Sequence, residues 1–308
     1  MSQPEYLPIA VRGIAVPVHP RPDFPPGAPP PTASNWTFVF DTETDTDEHG
    51  EAQPLLIVPY QIYEGKRLRR KGFAFDPAAL YPQELELLHA HCRANALPAP
   101  MEIDDFREFF IRYAYRFRAN VVGFALAFDL PRLAHNHTAA RGRFYDGFTL
   151  RISKEEPGPS IRMKKLNARA YKYEFTSVRR KRKPGEQRVR PWRGAFVDLK
   201  AAGDALLGGR HDLDSLPRAL DVPVEKMRRP SFSRPFDDYF LKYAYRDVVV
   251  TSACYFTLLD KYNSLDLPRT LDKIYSEASV AKAEYARIGI RPWLEVQPFQ
   301  SDLTSLID

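Results

Sequence analysis

Apolar residues fall along this chain with two periods. Short runs that alternate or stay apolar predict strands, and longer stretches with apolar residues every three or four positions predict helices. Trp36 to Phe40 (WTFVF) is aromatic and β-branched and runs straight into the acidic DTETDTDE, which predicts a buried strand ending at a polar turn. Leu55 to Tyr63 and Arg67 to Phe75, on either side of Glu64-Gly65-Lys66, predict a hairpin. Two helices should follow. One, over Pro82 to Asn95, carries Leu85, Leu87, Leu88 and His91 around one side; the other, over Ile103 to Phe117, carries Phe106, Phe109, Phe110, Tyr113 and Phe117 at helical spacing. Apolar stripes of that period face a sheet far more often than they hold a cofactor, so these aromatics are expected in the core.

Val121 to Ala127 (VVGFALA) predicts a strand buried on both faces, with Phe128-Asp129-Leu130-Pro131 as its exit into a helix. The alternating Tyr171, Tyr173 and Phe175 predict a hairpin strand leading into a basic loop, Ala195 to Leu199 another strand, and Asp212 to Leu220 a short helix. The longest helix should start at Asp237-Asp238, which supply a cap, and run to Tyr262. Its stripe is Phe240, Ala244, Val248, Thr251, Tyr255 and Leu258, and Asn263 to Pro268 stops it.

Composition sharpens this in three places. Ten of the 28 prolines fall in residues 1–34, which predicts an arm or linker, since proline removes the donors that sheets and helices need. Hydrophobic residues at 44% and aromatics at 13% place the remainder among globular rather than disordered chains. Lys and Arg number 45 against 39 Asp and Glu, a net charge of +6; this suits a polyanionic partner, although many mildly basic proteins have none. Cys92 and Cys254 stand alone, which excludes a disulfide framework and a cysteine-based zinc site within one chain. No apolar run reaches the ~20 residues of a membrane span and no signal-like segment opens the chain, so a cytoplasmic protein, nucleoid- or replication-associated and neither secreted nor membrane-bound, is expected.

The chemistry-bearing candidates are acidic. Asp41 and Glu43 are one residue apart, so on an extended segment both side chains point to the same side. They could share metal ions, or simply form an acidic turn. Asp129 falls where the buried strand should end, at the rim of a sheet where sites form, or else caps a helix beginning at Leu130. Tyr243 and Asp247, four apart on a helix, share a face, so the carboxylate can ligate while the phenol orients a water. A second Y-x-x-x-D, at Tyr262 and Asp266, lies in a helix terminator, so the spacing alone specifies little. Carboxylates brought together tolerate one another when cations neutralise them, and hard Mg²⁺ or Mn²⁺ takes oxygen ligands.

Taken in order, FVFDTETD, VVGFALAFDLPRLA and YAYRDVVVT resemble the three exonuclease motifs of the DEDD (DnaQ-like) superfamily, in the subtype with tyrosine in the third motif. FVDLKAAGDALLGGRHDLDSLPRALDVPVEK is similar to the strand, helix and lysine-ended turn that precede the third motif in family B DNA polymerases. The likeness spans Trp36 to Tyr262, and IYSEASVAKAEYARIGIRP resembles the segment joining exonuclease to polymerase in viral, organellar and protein-primed members. This resemblance implies a ribonuclease-H-like α/β fold with a mixed five-stranded sheet flanked by helices. It implies stepwise 3′-to-5′ hydrolysis of a single-stranded DNA end, in the manner of proofreading, with two divalent cations, Mg²⁺ or Mn²⁺, held by Asp41, Glu43, Asp129 and Asp247. Tyr243 would position the water, and Thr42 and Phe128 would lie near the terminal nucleotide. Residues 1–34 would form the arm, 35–266 the exonuclease domain, and 267–308 a helical extension that leads to a polymerase region in cis or belongs to an enzyme serving a polymerase in trans.

One departure stands out. The family's second motif carries G-H-N or G-Y-N ahead of F-D, whereas Gly123 is followed here by Phe124 and Ala125. The metal ligand is kept and a substrate-contacting asparagine is lost, with Phe124 offered as a base-stacking substitute. Two alternatives therefore stand beside the DNA exonuclease: an impaired module that only binds nucleic acid, and an RNA-trimming enzyme on the same fold.

The run Arg179 to Lys183, including Arg180 and Arg182, with Arg188, Arg190 and Trp192 nearby, is either a phosphate-backbone track or a solvated hairpin tip. Lys226 is a phosphate contact or a surface charge. Asp198 is a fifth carboxylate near the metals or a structural strand-end residue. His135-Asn136-His137, placed on a helix, does not make an HNH nuclease, and no phosphate-binding G-x-x-x-x-G-K-[ST] loop is present.

Overall fold

A computed structural model describes residues 31–45, 54–156, 158–176, 178, 191–228 and 234–290. Strand β1 (Trp36–Phe40) leads through Asp41 into a two-residue strand β2 (Glu43–Thr44), and β3 (Leu55–Glu64) and β4 (Arg67–Phe75) form the expected hairpin. Its Gly65-Lys66 turn needs a positive φ at the first residue, which Gly65 supplies at +58°. Helix α1 (Pro82–Ala94) is followed by a short strand β5 (Met101–Glu102) and α2 (Ile103–Ile111), whose last turn widens into a π-helical turn over Arg112–Arg116. Next come β6 (Asn120–Gly123) and α3 (Leu126–Leu133). Strands β7 (Asn136–Ala139), β8 (Phe148–Arg151), β9 (Ile161–Lys165) and β10 (Tyr171–Phe175) form a second sheet. The described residues close with β11 (Ala195–Asp198), α4 (Leu199–Leu207), α5 (Ser215–Ala219), α6 (Asp238–Asn263) and α7 (Glu277–Arg287).

The main sheet is mixed, in the order β11-β6-β1-β3-β4-β5, with β2 also paired to β3. β1 runs parallel to β6 and antiparallel to β3, and β6 runs parallel to β11. Among the described residues the sheet has seven strands where five are expected. The additions are the two-residue β2, where the chain after Asp41 returns to pair with β3, and β5, which pairs with the end of β4 just ahead of α2. Side chains alternate between the faces of this sheet, as a two-residue period requires. Phe38, Phe40, Val121 and Phe196 enter a core covered by α2, α3 and the second sheet, while Val39, Val122 and Val197 enter a core covered by α4, α5, α6 and α7. On β3 and β4, Leu56, Phe73 and Phe75 meet α1 and the start of α6 in a third cluster. Phe38 is the hub of the first core, its ring within 5.4–6.1 Å of Phe40, Tyr60, Phe106, Phe109, Phe110 and Tyr113.

Several expectations change. β6 stops at Gly123 rather than Ala127, because the Asp198 carboxylate accepts the Leu126 N–H and starts α3 there. Asp129 accordingly sits at the end of the first turn of α3, neither at a strand end nor at a cap, and Pro131 lies inside the helix. The segment carrying His135 and His137 is extended, not helical, since β7 begins at Asn136. Phe117, placed in the core by its spacing, is 39% exposed beside Trp36 and Tyr113.

Helix α6 starts where the sequence puts it: the Asp237 carboxylate accepts the Phe240 N–H at 2.9 Å. It is seated on β3 through a buried polar network as well as apolar contacts. Ser252 and Tyr63 hydroxyls donate to Gln61 Oε1 at 2.8 and 2.7 Å, and Gln61 Nε2 donates to the Tyr245 oxygen at 3.0 Å. Beyond α6, Leu271, Ile274 and Ala283 are buried in the same core, so the start of the expected extension packs on the domain. No described helix is long and apolar enough to cross a membrane. The arm, apart from residues 31–34, lies outside the described residues.

Candidate metal centre

The sheet brings three distant segments to one point. Asp41 and Glu43 leave β1 on the same side, as their spacing requires, and Asp247 reaches them from α6; one carboxylate oxygen of each lies within 4.8 Å of the other two. Asp129 of α3 does not join that set, but its carboxyl adjoins that of Asp41 closely enough to feel its charge. Asp41 is thus common to both groupings. Thr42, between the paired acids, is buried, and its hydroxyl donates to Asp129 Oδ1 at 2.7 Å while its N–H meets Asp41 Oδ1 at 3.0 Å. Thr42, which the resemblance sets near the terminal nucleotide, therefore has its hydroxyl engaged in orienting a carboxylate. Gly123 leaves room for Asp129: a Cβ there would stand 2.6 Å from Leu126 Cδ2 and 3.2 Å from Asp129 Oδ2.

Buried carboxylates this close resist ionisation. Burial raises Asp41 above the ordinary range, and burial together with the Asp41 charge holds Asp129 well above it. Asp247 is pushed up to about 7, first by burial, against the pull of Lys226, with the charge of Asp41 adding to the rise and a hydrogen bond from Tyr243 opposing it. Lys226 Nζ lies 3.4 Å from Asp247 Oδ2 and 5.5 Å from the centre of the Tyr243 ring. Asp129 Oδ2 and Asp247 Oδ1 are buried with no hydrogen-bond partner among the described residues. Such oxygens are costly unless something satisfies them, and a divalent cation with oxygen ligands fits this donor set.

The remaining candidates separate. Phe128 is 41% exposed, with the Arg132 guanidinium 4.6 Å from its ring centre, whereas Phe124 is half-buried against the core beneath α4 and α6. Trp192 is committed to structure, its indole N–H donating to the Ala114 carbonyl at 3.0 Å. Arg180 and Arg182, with Arg188 and Arg190, lie outside the described residues. Asp198 is structural and also close to the centre. It accepts the Ala201 N–H at 3.2 Å and the Tyr173 hydroxyl at 3.3 Å, it is pushed up to about 7 by burial, and its charge reaches Asp129.

One contributor escaped the sequence. Arg234, just ahead of α6, pairs with Asp45 at 2.7 Å and with Glu84, which is fully buried in α1 and also accepts the Tyr81 and Phe236 N–H groups. It ties the segment after Glu43 to the foot of the helix that carries Asp247. Nothing in the spacing of Glu84 or Arg234 signals this, because the partners are 150 positions apart.

No protein-family model matches this chain, and no curated protein matches it at a significant level.

Proposed function

We propose that this chain is a ribonuclease-H-like 3′-to-5′ exonuclease of the DEDD type, which removes nucleotides from a single-stranded DNA end with two divalent cations, Mg²⁺ or Mn²⁺, and acts in proofreading beside a polymerase domain in cis or in trans. The observation that carries this reading is the convergence of Asp41, Glu43 and Asp247, with Asp129 against Asp41, leaving two buried carboxylate oxygens without partners among the described residues. The five longer strands, in the mixed order β11-β6-β1-β3-β4, support the fold assignment.

Asp41, Glu43, Asp129 and Asp247 would hold the cations, which when bound supply charge neutralisation at the phosphate and an acidified water. The chain's own residues set the stage for that chemistry. Thr42 fixes the Asp129 carboxylate; Tyr243, hydrogen-bonded to Asp247, would orient a water; and Lys226 offsets part of the acidic charge while Asp247 is ionised. Phe128 offers an exposed aromatic face to a terminal base.

The test is a labelled single-stranded oligonucleotide incubated with Mg²⁺ or Mn²⁺. Progressive shortening from the 3′ end that Asp41→Ala abolishes is the expected result. Retention without cleavage, with or without metal, would favour the binding module to which the missing asparagine at Ala125 points, and faster trimming of RNA would favour the RNA enzyme.

A further inference from the structure

We infer that the cleft between the second sheet and α4 carries the phosphate backbone of a single nucleic-acid strand toward the carboxylate centre, an inference that rests on the nuclease reading for the direction of the strand but not for its binding. The cleft holds about 490 Å³. At one end it is lined by Ala125 and Ala127, at the start of the helix that bears Asp129, and by Asp198.

Three cations from three separate elements line it: Arg169 from the turn between β9 and β10, Lys200 from the first turn of α4, and Arg210 from the loop after α4. All three are exposed, and none forms an ion pair among the described residues. Three acids share the wall, Asp198, Asp204 and Asp212, and each is bound by donors of the protein that orient it without removing its charge. Asp204 accepts the His211 N–H at 2.7 Å, and Asp212 accepts the Asp214 and Ser215 N–H groups at 3.1 and 2.7 Å. Asp198 is held by Ala201 and Tyr173. Tyr171, half-buried with its ring stacked 6.5 Å from Tyr173, adds an aromatic surface to the wall.

A second cleft of about 480 Å³ shares Ala168, Arg169 and Asp204 with the first and reaches the start of α7, where Glu277 lines it and Arg169 is its one cation. Three exposed cations around the first cleft, with an aromatic wall, suit the charges and exposed bases of a short stretch of single strand. The second sheet thereby acquires a role: its β9–β10 turn is what holds Arg169 over the cleft.

The experiment is fluorescence anisotropy of labelled oligo-dT with the full chain in EDTA, where cleavage cannot interfere, over a range of salt concentrations. Arg169→Ala, Lys200→Ala and Arg210→Ala combined should weaken binding at least tenfold and flatten the salt dependence by about two units of slope, at ~0.7 per phosphate lost. Lys71→Ala with Lys242→Ala, in a cleft that shares no residue with this one, should leave both unchanged. A triple variant with a wild-type melting temperature, affinity and salt slope overturns the inference, as does a loss confined to the Lys71 and Lys242 variant. Because the readout needs no turnover, absence of nuclease activity leaves the binding cleft standing, and loss of the binding cleft leaves the nuclease standing.

Discussion

Replacing Asp247 by Asn should stabilise the metal-free protein and abolish its response to metal. In the folded chain Asp247 ionises near 7 instead of its ordinary 3.8. Folding therefore favours the protonated form, and stability is greatest below 3.8 and is lost as pH rises through 7. At about 1.36 kcal/mol per pH unit, that gap makes ionised Asp247 cost roughly 4 kcal/mol at pH 8. Asp41, Asp129 and Asp198 are raised too and push in the same direction. Glu84, held low by Arg234 and backbone donors against its burial, Asp104, held low by Lys154 and Arg107, and Asp238, held low by Lys242 and His91, act oppositely but titrate below about pH 4.5, outside the window. Thermal melts in EDTA at pH 5 and pH 8 should show the wild type losing stability between the two, and Asp247→Asn losing clearly less. At about 2–4 °C per kcal/mol for a domain of this size, the difference is several degrees. Mn²⁺ at about one hundred times its dissociation constant should return roughly 2.7 kcal/mol to the wild type at pH 8 and almost nothing to the variant. A metal-free wild type that is as stable at pH 8 as at pH 5, or an Asp247→Asn protein that Mn²⁺ stabilises normally, would refute the reasoning.

Two further outcomes follow from the same geometry. Arg234→Met strands the fully buried Glu84 carboxylate and should cost about 3–5 kcal/mol in urea denaturation, with much of that loss recovered when Glu84→Gln is added. Gly123→Ala places a methyl against buried Leu126 and Asp129 and should cost about 1–3 kcal/mol while shrinking the Mn²⁺-induced rise in melting temperature.

How much of this could be read from the chain depended on whether the signal was local. The position of α6 was legible because an aspartate cap and a long apolar stripe act within one element, and the shared side of Asp41 and Glu43 followed from strand geometry. The end of β6 was not, because VVGFALA is apolar throughout and the break at Gly123 is imposed by Asp198 from the neighbouring strand. β7 escaped because all four of its residues are exposed, leaving no alternation to detect. The meeting of Asp129 and Asp247 with the first pair was anticipated only through the order of motifs, since no periodicity spans such separations. The Glu84–Arg234 pair, a contact made by folding alone, left no trace.

The polar cluster around Gln61 has a mechanical meaning. A helix resting on a purely greasy surface can roll, and one residue of roll turns it by about 100° and shifts it about 1.5 Å. Gln61, gripped by Tyr63, Tyr245 and Ser252, acts like a key in a slot and admits one angular setting of α6. The bearing of Asp247 toward Asp41 is thus indexed from the centre of the sheet, by side chains that never approach the ions or the strand they are proposed to serve.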